Sequence, residues 1–299
     1  MTDRYHRAKE KTTSTADRLS YAANTGLLAG SVLQYWGYYL SNRRFAKDQE
    51  FYVVYTSIDH SIPFQSDSAV QYWLINLKLV PTSVKLGNPS VCKTFADIRR
   101  EYVGMAKIAC AAFKAVPTVM PHFARPGGVA LKLTQAFMKP INCCPSLHTA
   151  APFLAYNLGA KYFPETEQEL RESVAEVVST IIKTKLHALV DIAFGLVLAQ
   201  KAVNEGLGLD FNDLESHFAG PQKDRDKIPY GRVYTMYREI RDLSKTVGGG
   251  KSSLPELMEL YFQEIGLPRV TRQHSNCFYD LERKALMYPH ELEVGKGLL

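Results

Sequence analysis

The sequence predicts an all-α fold, and three observations lead to that prediction. Apolar residues recur at the three- and four-residue spacing of helices, alternating strand-like patterns are nearly absent, and no repeat period is found. The chain has 299 residues, of which 46% are hydrophobic and 22% charged, so it can bury a large core. We therefore expect a helical bundle, in one large domain or two small ones.

Each predicted helix follows from its apolar spacing and from the residues at its ends. Pro117 ends one helix, Ser146 can cap the next, and Thr166 with Glu169 forms a capping box for the one after. The expected helices cover 15–44, 68–79, 95–116, 129–139, 146–160, 166–182, 187–205, 229–243 and 254–264.

The composition changes along the chain and predicts three parts. Residues 1–14 are polar, and we expect them to form a flexible N-terminus. Residues 15–206 carry the strongest apolar periodicity and form the main helical domain. Residues 207–299 are more polar and form an expected C-terminal helical extension, which would cover a pocket or build a dimer interface in a homo-oligomer.

Charge and cysteine content narrow the function classes. The chain has 36 Lys and Arg against 30 Asp and Glu, a formal net charge of +6, which favours anionic ligands but is too small for a nucleic-acid footprint. Five cysteines, odd in number and without a Cys-x-x-Cys pair, predict neither a disulfide framework nor a zinc site. A reducing compartment, the cytoplasm, is the expected location.

No stretch of the sequence has the length and the apolar character of a membrane span. A spanning helix needs about 20 apolar residues in a row, and the two best candidates, 103–121 and 186–203, are interrupted by charged residues. Residues 25–40 follow a basic start but are too rich in Tyr and Trp for a signal peptide. We expect a soluble protein, with peripheral membrane contact by this aromatic stretch as the alternative.

Two short segments contain the candidate functional residues. In the sequence TKLHALVDIAFG, His187 and Asp191 are four apart, so on a helix they share one face and the carboxylate can orient the imidazole. In CCPSLHTAAP, Ser146 opens a helix whose free amides can bind phosphate, and His148 can transfer a proton. The alternatives are a solvated surface pair and an ordinary capped helix with a buried histidine.

Together the two segments resemble the signatures of the type 2 phosphatidic acid phosphatase (PAP2) and vanadium haloperoxidase superfamily. The PSLH run at 145–148 is similar to its Pro-Ser-Gly-His signature. The other segment is similar to a Thr-Lys-x-His-x3-Asp variant of its third signature, with matches at Thr184, Lys185, His187, Asp191 and Gly195. The resemblance spans Lys107 to Val203 and implies a bundle of the PAP2 and haloperoxidase type.

The resemblance implies a role for each matched residue. His187 would be the nucleophile that forms a phosphohistidine, with Asp191 holding its other nitrogen. His148 would be the general acid, and Ser146 would bind phosphate. The implied reaction needs no metal and no cofactor, because cationic side chains and helix amides carry the charge, and residues 15–206 would be the catalytic domain.

The cationic residues depart from the family pattern. Where the full third signature has Ser and Arg, this chain has Thr180 and Ile181, so Lys185 or Lys183 would have to replace the guanidinium. The Lys-x6-Arg-Pro signature has no copy. The nearest imitation is Lys132-x6-Lys139-Pro140, whose proline falls only five residues before Pro145. We favour Lys107, Lys114 and Arg125 over this pair, the alternative being that these lysines face solvent.

The resulting function hypothesis is a phosphatase for small-molecule phosphate or diphosphate monoesters, such as an amphiphilic isoprenyl diphosphate. One alternative is a vanadium haloperoxidase, in which vanadate would be the cofactor. Others are a phosphotransferase to an acceptor alcohol and a helical interaction protein without activity, which the missing Arg at position 181 would favour.

Overall fold

The computed structural model describes residues 49–70, 92–120, 128–132, 142–162, 164–206, 230–248, 252–271 and 277–287, with the backbone of Gly30 and Gly37. Most of these residues are helical, which confirms the predominantly helical fold. The helices are α1 Ser57–Ser61, α2 Cys92–Ala115, α3 Leu147–Tyr162, α4 Glu167–Lys183, α5 Leu189–Gly206, α6 Tyr230–Gly248 and α7 Leu254–Glu264. Over these ranges, no helix combines the length and apolar character needed to cross a lipid bilayer.

The bounds of α2, α3, α4 and α7 agree with the sequence prediction to within a few residues, and α6 extends five residues further than expected. The backbone is also helical at 68–70, at 129–132, and at the two glycines inside the expected first helix. The rest of those three expected helices, and the N-terminus at 1–14, lie outside the described residues.

The core lies where α3 and α5 pack together, with α2, α4 and α6 against one or both of them. Large buried rings from five helices fill it: Phe113, Phe153, Phe194, Tyr237 and Phe262. Helices α6 and α7 belong to the segment after residue 206, and they contribute to this same core. The boundary at 206 stays a prediction.

Short strands, which the sequence analysis did not predict, accompany the helices. Strand β1 Glu50–Val53 lies between β2 Thr118–Val119, which is parallel to it, and β3 Arg269–Thr271, which is antiparallel. A hairpin of β4 Phe278–Asp280 and β5 Ala285–Met287 lies nearby in the chain. Three consecutive residues of β1 are buried, so it has no apolar and polar alternation to reveal it.

The three-stranded sheet anchors the loop that precedes α3. The Asn142 amide donates to the Thr118 carbonyl at 2.7 Å, and the Cys144 amide donates to the Thr118 hydroxyl at 3.1 Å. Strand β2 therefore fixes the loop through which the chain enters α3.

Candidate functional site

Ser146 caps α3, as the sequence predicts. Its hydroxyl oxygen accepts from the Thr149 amide at 3.2 Å and from the Thr149 hydroxyl at 3.1 Å. The Ser146 carbonyl accepts from the Ala150 amide at 2.9 Å. The cap therefore satisfies an amide of the first turn with a neutral oxygen, and it places His148 at the start of the helix.

The start of α5 corrects one expectation, because His187 precedes the helix instead of lying in it. Helix α5 begins at Leu189, and the Asp191 carboxylate turns back to accept from the Ala188 amide at 3.0 Å. A carboxylate at the third helical position commonly bonds the amide before the helix in this way. The same oxygen, Oδ2, lies 3.3 Å from Nδ1 of His187, so the expected pair forms by a different geometry.

The two segments dock directly onto one another. The Ser146 amide donates to the backbone carbonyl of Asp191 at 2.9 Å. A Cβ on Gly195 would lie 2.7 Å from the Ser146 carbonyl oxygen and 2.9 Å from Cβ of Thr149. The glycine is therefore required by the close approach of α5 to the first turn of α3.

Docking brings the two histidines together. The ring centroids of His148 and His187 are 5.3 Å apart, and the rings are tilted by 52°. The exposed fraction is 9% for His187 and 0% for Asp191, whereas His148 is half-buried. The alternative of a solvated surface pair is wrong for His187 and Asp191.

Nε2 of His187 is buried and has no hydrogen-bond partner among the described residues. Because Nδ1 faces Asp191, Nε2 is the atom left for chemistry. A buried polar atom without a partner is costly and is often found where a ligand binds. The neighbouring ring of His148 marks where that ligand would lie.

Burial dominates the electrostatics of the three groups. It lowers the pKa of His187 to about 4, an effect that the backbone carbonyl of Cys143 partly offsets. It also lowers the pKa of His148 to about 3, with a further contribution from His187. At neutral pH both imidazoles are therefore uncharged, as a nucleophile requires.

Burial raises the pKa of Asp191 to about 7. The Ala188 amide and the thiols of Cys143 and Cys144 donate toward its carboxylate and oppose this rise. The two thiols themselves have raised pKa values because they are buried and face Asp191. They remain protonated at neutral pH and act as weak hydrogen-bond donors.

Lys185 has a position that the sequence analysis did not foresee. Its ammonium donates to the backbone carbonyl of Asp59 and lies 6.0 Å from the centroid of the Tyr55 ring. The side chain is buried and holds the loop before His187. These contacts are structural, and they do not support the expected role as a phosphate ligand.

Of the other expected cations, the structure describes Lys107, Lys114, Lys132 and Lys183. Lys107 and Lys114 are exposed on α2, and neither side chain makes a hydrogen bond or ion pair within the part of the chain that the structure describes. Lys132 is also exposed, and Lys183 is half-buried at the end of α4. Arg125 lies outside the described residues, as does Lys139.

Asp59 is the residue of this region that sequence reasoning missed. Thr56 and Asp59 have the spacing of a capping box, which is a local signal for the start of α1. The second contact, from the Leu189 amide to Oδ1 of Asp59 at 2.7 Å, joins positions 130 residues apart. No local pattern can reveal such a contact.

No family model, curated protein or solved structure matches this chain. The resemblance to the PAP2 superfamily therefore rests on the two motifs. Within the described ranges, no group of three or more His, Cys, Asp and Glu side chains is placed to hold a metal ion.

Proposed function

We propose that this protein is a metal-independent phosphatase of the PAP2 type, which acts through a phosphohistidine on His187. One observation carries the proposal: a buried Nε2 without a partner lies beside the ring of His148, while Nδ1 faces a carboxylate. This is the arrangement that activates a histidine nucleophile and supplies a proton donor next to it.

In the first step, Nε2 of His187 attacks phosphorus and the ester P–O bond breaks. Asp191 accepts the Nδ1 proton in a hydrogen bond and stabilises the cation that forms on the phosphorylated ring, as the acid of a triad does. The leaving oxygen takes a proton from His148. In the second step His148 removes a proton from water, whose oxygen attacks phosphorus and breaks the P–N bond.

The proton on His148 has to arrive with the substrate. In the empty site the pKa of His148 is lowered to about 3, so the ring is neutral at pH 7. A phosphate ester between the two rings brings negative charge next to His148 and raises its pKa. We therefore expect phosphate or vanadate binding to take up a proton from solution.

The first turn of α3 is the proposed anion site. Helix N-termini favour anions through their free amides and their partial positive charge. The Ser146 oxygen accepts two hydrogen bonds, but its own hydrogen remains able to donate. This geometry suits the terminal phosphoryl group of a phosphate or diphosphate monoester.

Hydrolysis of p-nitrophenyl phosphate and of inorganic pyrophosphate, with and without vanadate, tests the proposal. We expect turnover that vanadate inhibits and that His187→Asn abolishes. His60→Asn is the matched control, because it also replaces a histidine by asparagine, and the His60 side chain is exposed and stacks on Phe278.

Other products would redirect the proposal. Halogenation of monochlorodimedone by vanadate, peroxide and bromide would favour the haloperoxidase, and transfer of phosphate to an added alcohol would favour the phosphotransferase. If no ester, diphosphate or vanadate shows an effect that depends on His187, the chain is not an enzyme of this class.

A further inference from the structure

Asp59 connects α1 to the loop that carries His187. It is buried, with 3% of its surface exposed. Its Oδ1 accepts from the Leu189 amide at 2.7 Å, and its backbone carbonyl accepts from the ammonium of Lys185. One residue of α1 therefore holds the chain two positions before His187 and two positions after it.

Asp59 is itself held in place. Its Oδ2 accepts from the Thr56 amide at 2.9 Å and from the Thr56 hydroxyl at 2.8 Å. Further along the same segment, the Gln65 amide donates to the carbonyl of Lys183 at 2.9 Å. Both carboxylate oxygens and the carbonyl of Asp59 are thus used within the fold, which makes Asp59 a rigid support for the loop.

The loop needs such a support because its backbone is unusual. Lys185 has φ of 55°, a left-handed conformation that is unfavourable for a residue with a side chain. The Leu186 amide donates to the carbonyl of Ile181 and the Lys185 amide to that of Ile182, both at 3.1 Å, which is the Schellman ending where Gly is usual. The bond from the Lys185 ammonium to Asp59 gives a reason for Lys at this position.

We propose that Asp59 is a positioning residue, which fixes the His187 ring against Asp191 and beside His148 by holding the loop on both sides. The expected effect of Asp59 on catalysis rests on the proposed phosphatase function, whereas its expected effect on the position of the His187 ring does not. The groups that face this ring are Asp191 of α5, His148 of α3 and the Cys143 carbonyl, and burial is the largest cause of its lowered pKa.

The titration of His187, followed by NMR on the ¹⁵N-histidine-labelled full chain, tests this proposal without any need for activity. In Asp59→Ala we expect the loop to open and hydrate, so that the pKa of His187 rises from about 4 toward 6.5. Exchange of the Leu189 amide with solvent should accelerate in the same variant.

Ser253→Ala is the matched control, because it also removes a helix cap, that of α7, whose side chain accepts from the Glu256 amide. It should leave the His187 titration unchanged. If Asp59→Ala is too unstable to study, Lys185→Met removes the ammonium and its bond to the Asp59 carbonyl but keeps the Asp59 carboxylate, and it should move the His187 pKa in the same direction by less. A folded Asp59 or Lys185 variant with the wild-type His187 titration overturns the proposal.

If the protein hydrolyses p-nitrophenyl phosphate, a second arm applies. Misplacement of a reacting group by about 1 Å costs about 10²-fold in rate, so Asp59→Ala should lower kcat by that order and leave KM little changed. An unchanged kcat in a variant whose His187 titration has moved would contradict the catalytic part. If no hydrolysis is found at all, the NMR arm still decides the positioning role.

Discussion

The N-termini of α5 and α3 lie in one site but are capped by different groups, carboxylates at α5 and a neutral hydroxyl at α3. At α5 the amides of Ala188 and Leu189 donate to two buried carboxylates, those of Asp191 and Asp59. At α3 the amide of Thr149 donates to the neutral hydroxyl of Ser146. The start of α5 therefore already holds negative charge, whereas the start of α3 does not.

This difference assigns a separate task to each helix start. The partial positive charge of a helix N-terminus stabilises nearby anions. At α5 it is used by the two carboxylates that orient and position His187, so a substrate anion would be repelled there. At α3 it remains for the phosphoryl group, which would lie between His148 and Nε2 of His187. In the proposed mechanism the nucleophile would come from the acidic start of α5, and the anion would bind at the neutral start of α3.

Asp191→Asn is the most direct way to weaken this contrast, because it removes one of the two carboxylates at the start of α5 without changing its shape and leaves that of Asp59 in place. An amide at this position can donate to Nδ1 of His187, which would leave the proton on Nε2 and remove the lone pair that attacks. We expect kcat to fall by about 10⁴-fold, as the same substitution does in a Ser-His-Asp triad. Steady-state kinetics measure this, and a loss below tenfold would mean that Asp191 does not orient the ring.

The same variant has a defined effect on stability. The pKa of Asp191 is raised from 3.8 to about 7 by folding, so the folded state binds this proton more tightly than the unfolded state. Its stabilising contribution is therefore present below pH 3.8 and is lost as pH rises toward 7. Denaturant unfolding across this range should show a weaker loss of stability with pH in Asp191→Asn than in the wild type.

Gly195→Ala tests the docking of the two helix starts. The added Cβ would overlap the Ser146 carbonyl and Cβ of Thr149, and overpacking of this kind costs about 1–3 kcal/mol. Gly104→Ala is the control, because Gly104 lies within α2 and its added Cβ would meet nothing within 4 Å. We expect that control to gain up to about 1 kcal/mol from helix propensity. Equal unfolding free energies for the two variants would contradict the close approach.

Ser146→Ala removes the neutral cap of α3 and should cost about 1 kcal/mol of unfolding free energy. Ser253→Ala removes the cap of α7 and should cost about as much. Only the Ser146 variant should also weaken inhibition by vanadate, because only this cap lies in the proposed anion site. Vanadate inhibition that stays unchanged in Ser146→Ala would remove the hydroxyl from the site.

The pH profile of kcat/KM should show the smallest effects. Nε2 is a free base when Asp191 is ionised, so activity should fall below a pKa near 7. Cys144→Ala removes a donor to the carboxylate and should move this limb to higher pH, whereas Cys144→Ser, a stronger donor, should move it lower. Cys277→Ala, a buried thiol in a separate small cluster, should leave it in place. If both Cys144 variants behave like the control, the thiols do not tune Asp191.

The sequence predicts the helices of the site better than it predicts the geometry between them. The bounds of α3 and α4 follow from apolar spacing and from capping residues, which are local signals. The start of α5 does not follow from local signals. The apolar spacing continues through His187, but the Asp191 carboxylate accepts from the Ala188 amide, and the helix begins only at Leu189. Four-residue spacing was therefore a correct guide to the His187 and Asp191 contact for an incorrect structural reason.

Contacts between distant segments were beyond the reach of sequence patterns. The bond from Leu189 to Asp59 and the approach of α5 to α3 at Gly195 depend on tertiary packing. A lysine in a phosphatase-like motif predicts a phosphate ligand, whereas the Lys185 ammonium donates to the Asp59 carbonyl in this structure. Position in a motif predicts which residues meet, but not the partner of each charged group.

Trapping of the covalent intermediate tests the central claim most directly. In His148→Ala, p-nitrophenyl phosphate should still phosphorylate His187, because its leaving group needs no proton, while hydrolysis of the intermediate slows. Alkaline quench and trypsin digestion should then place the phosphate on the peptide 186–201, whose one histidine is His187. Label on another residue, or turnover that persists in His187→Asn, would contradict the account.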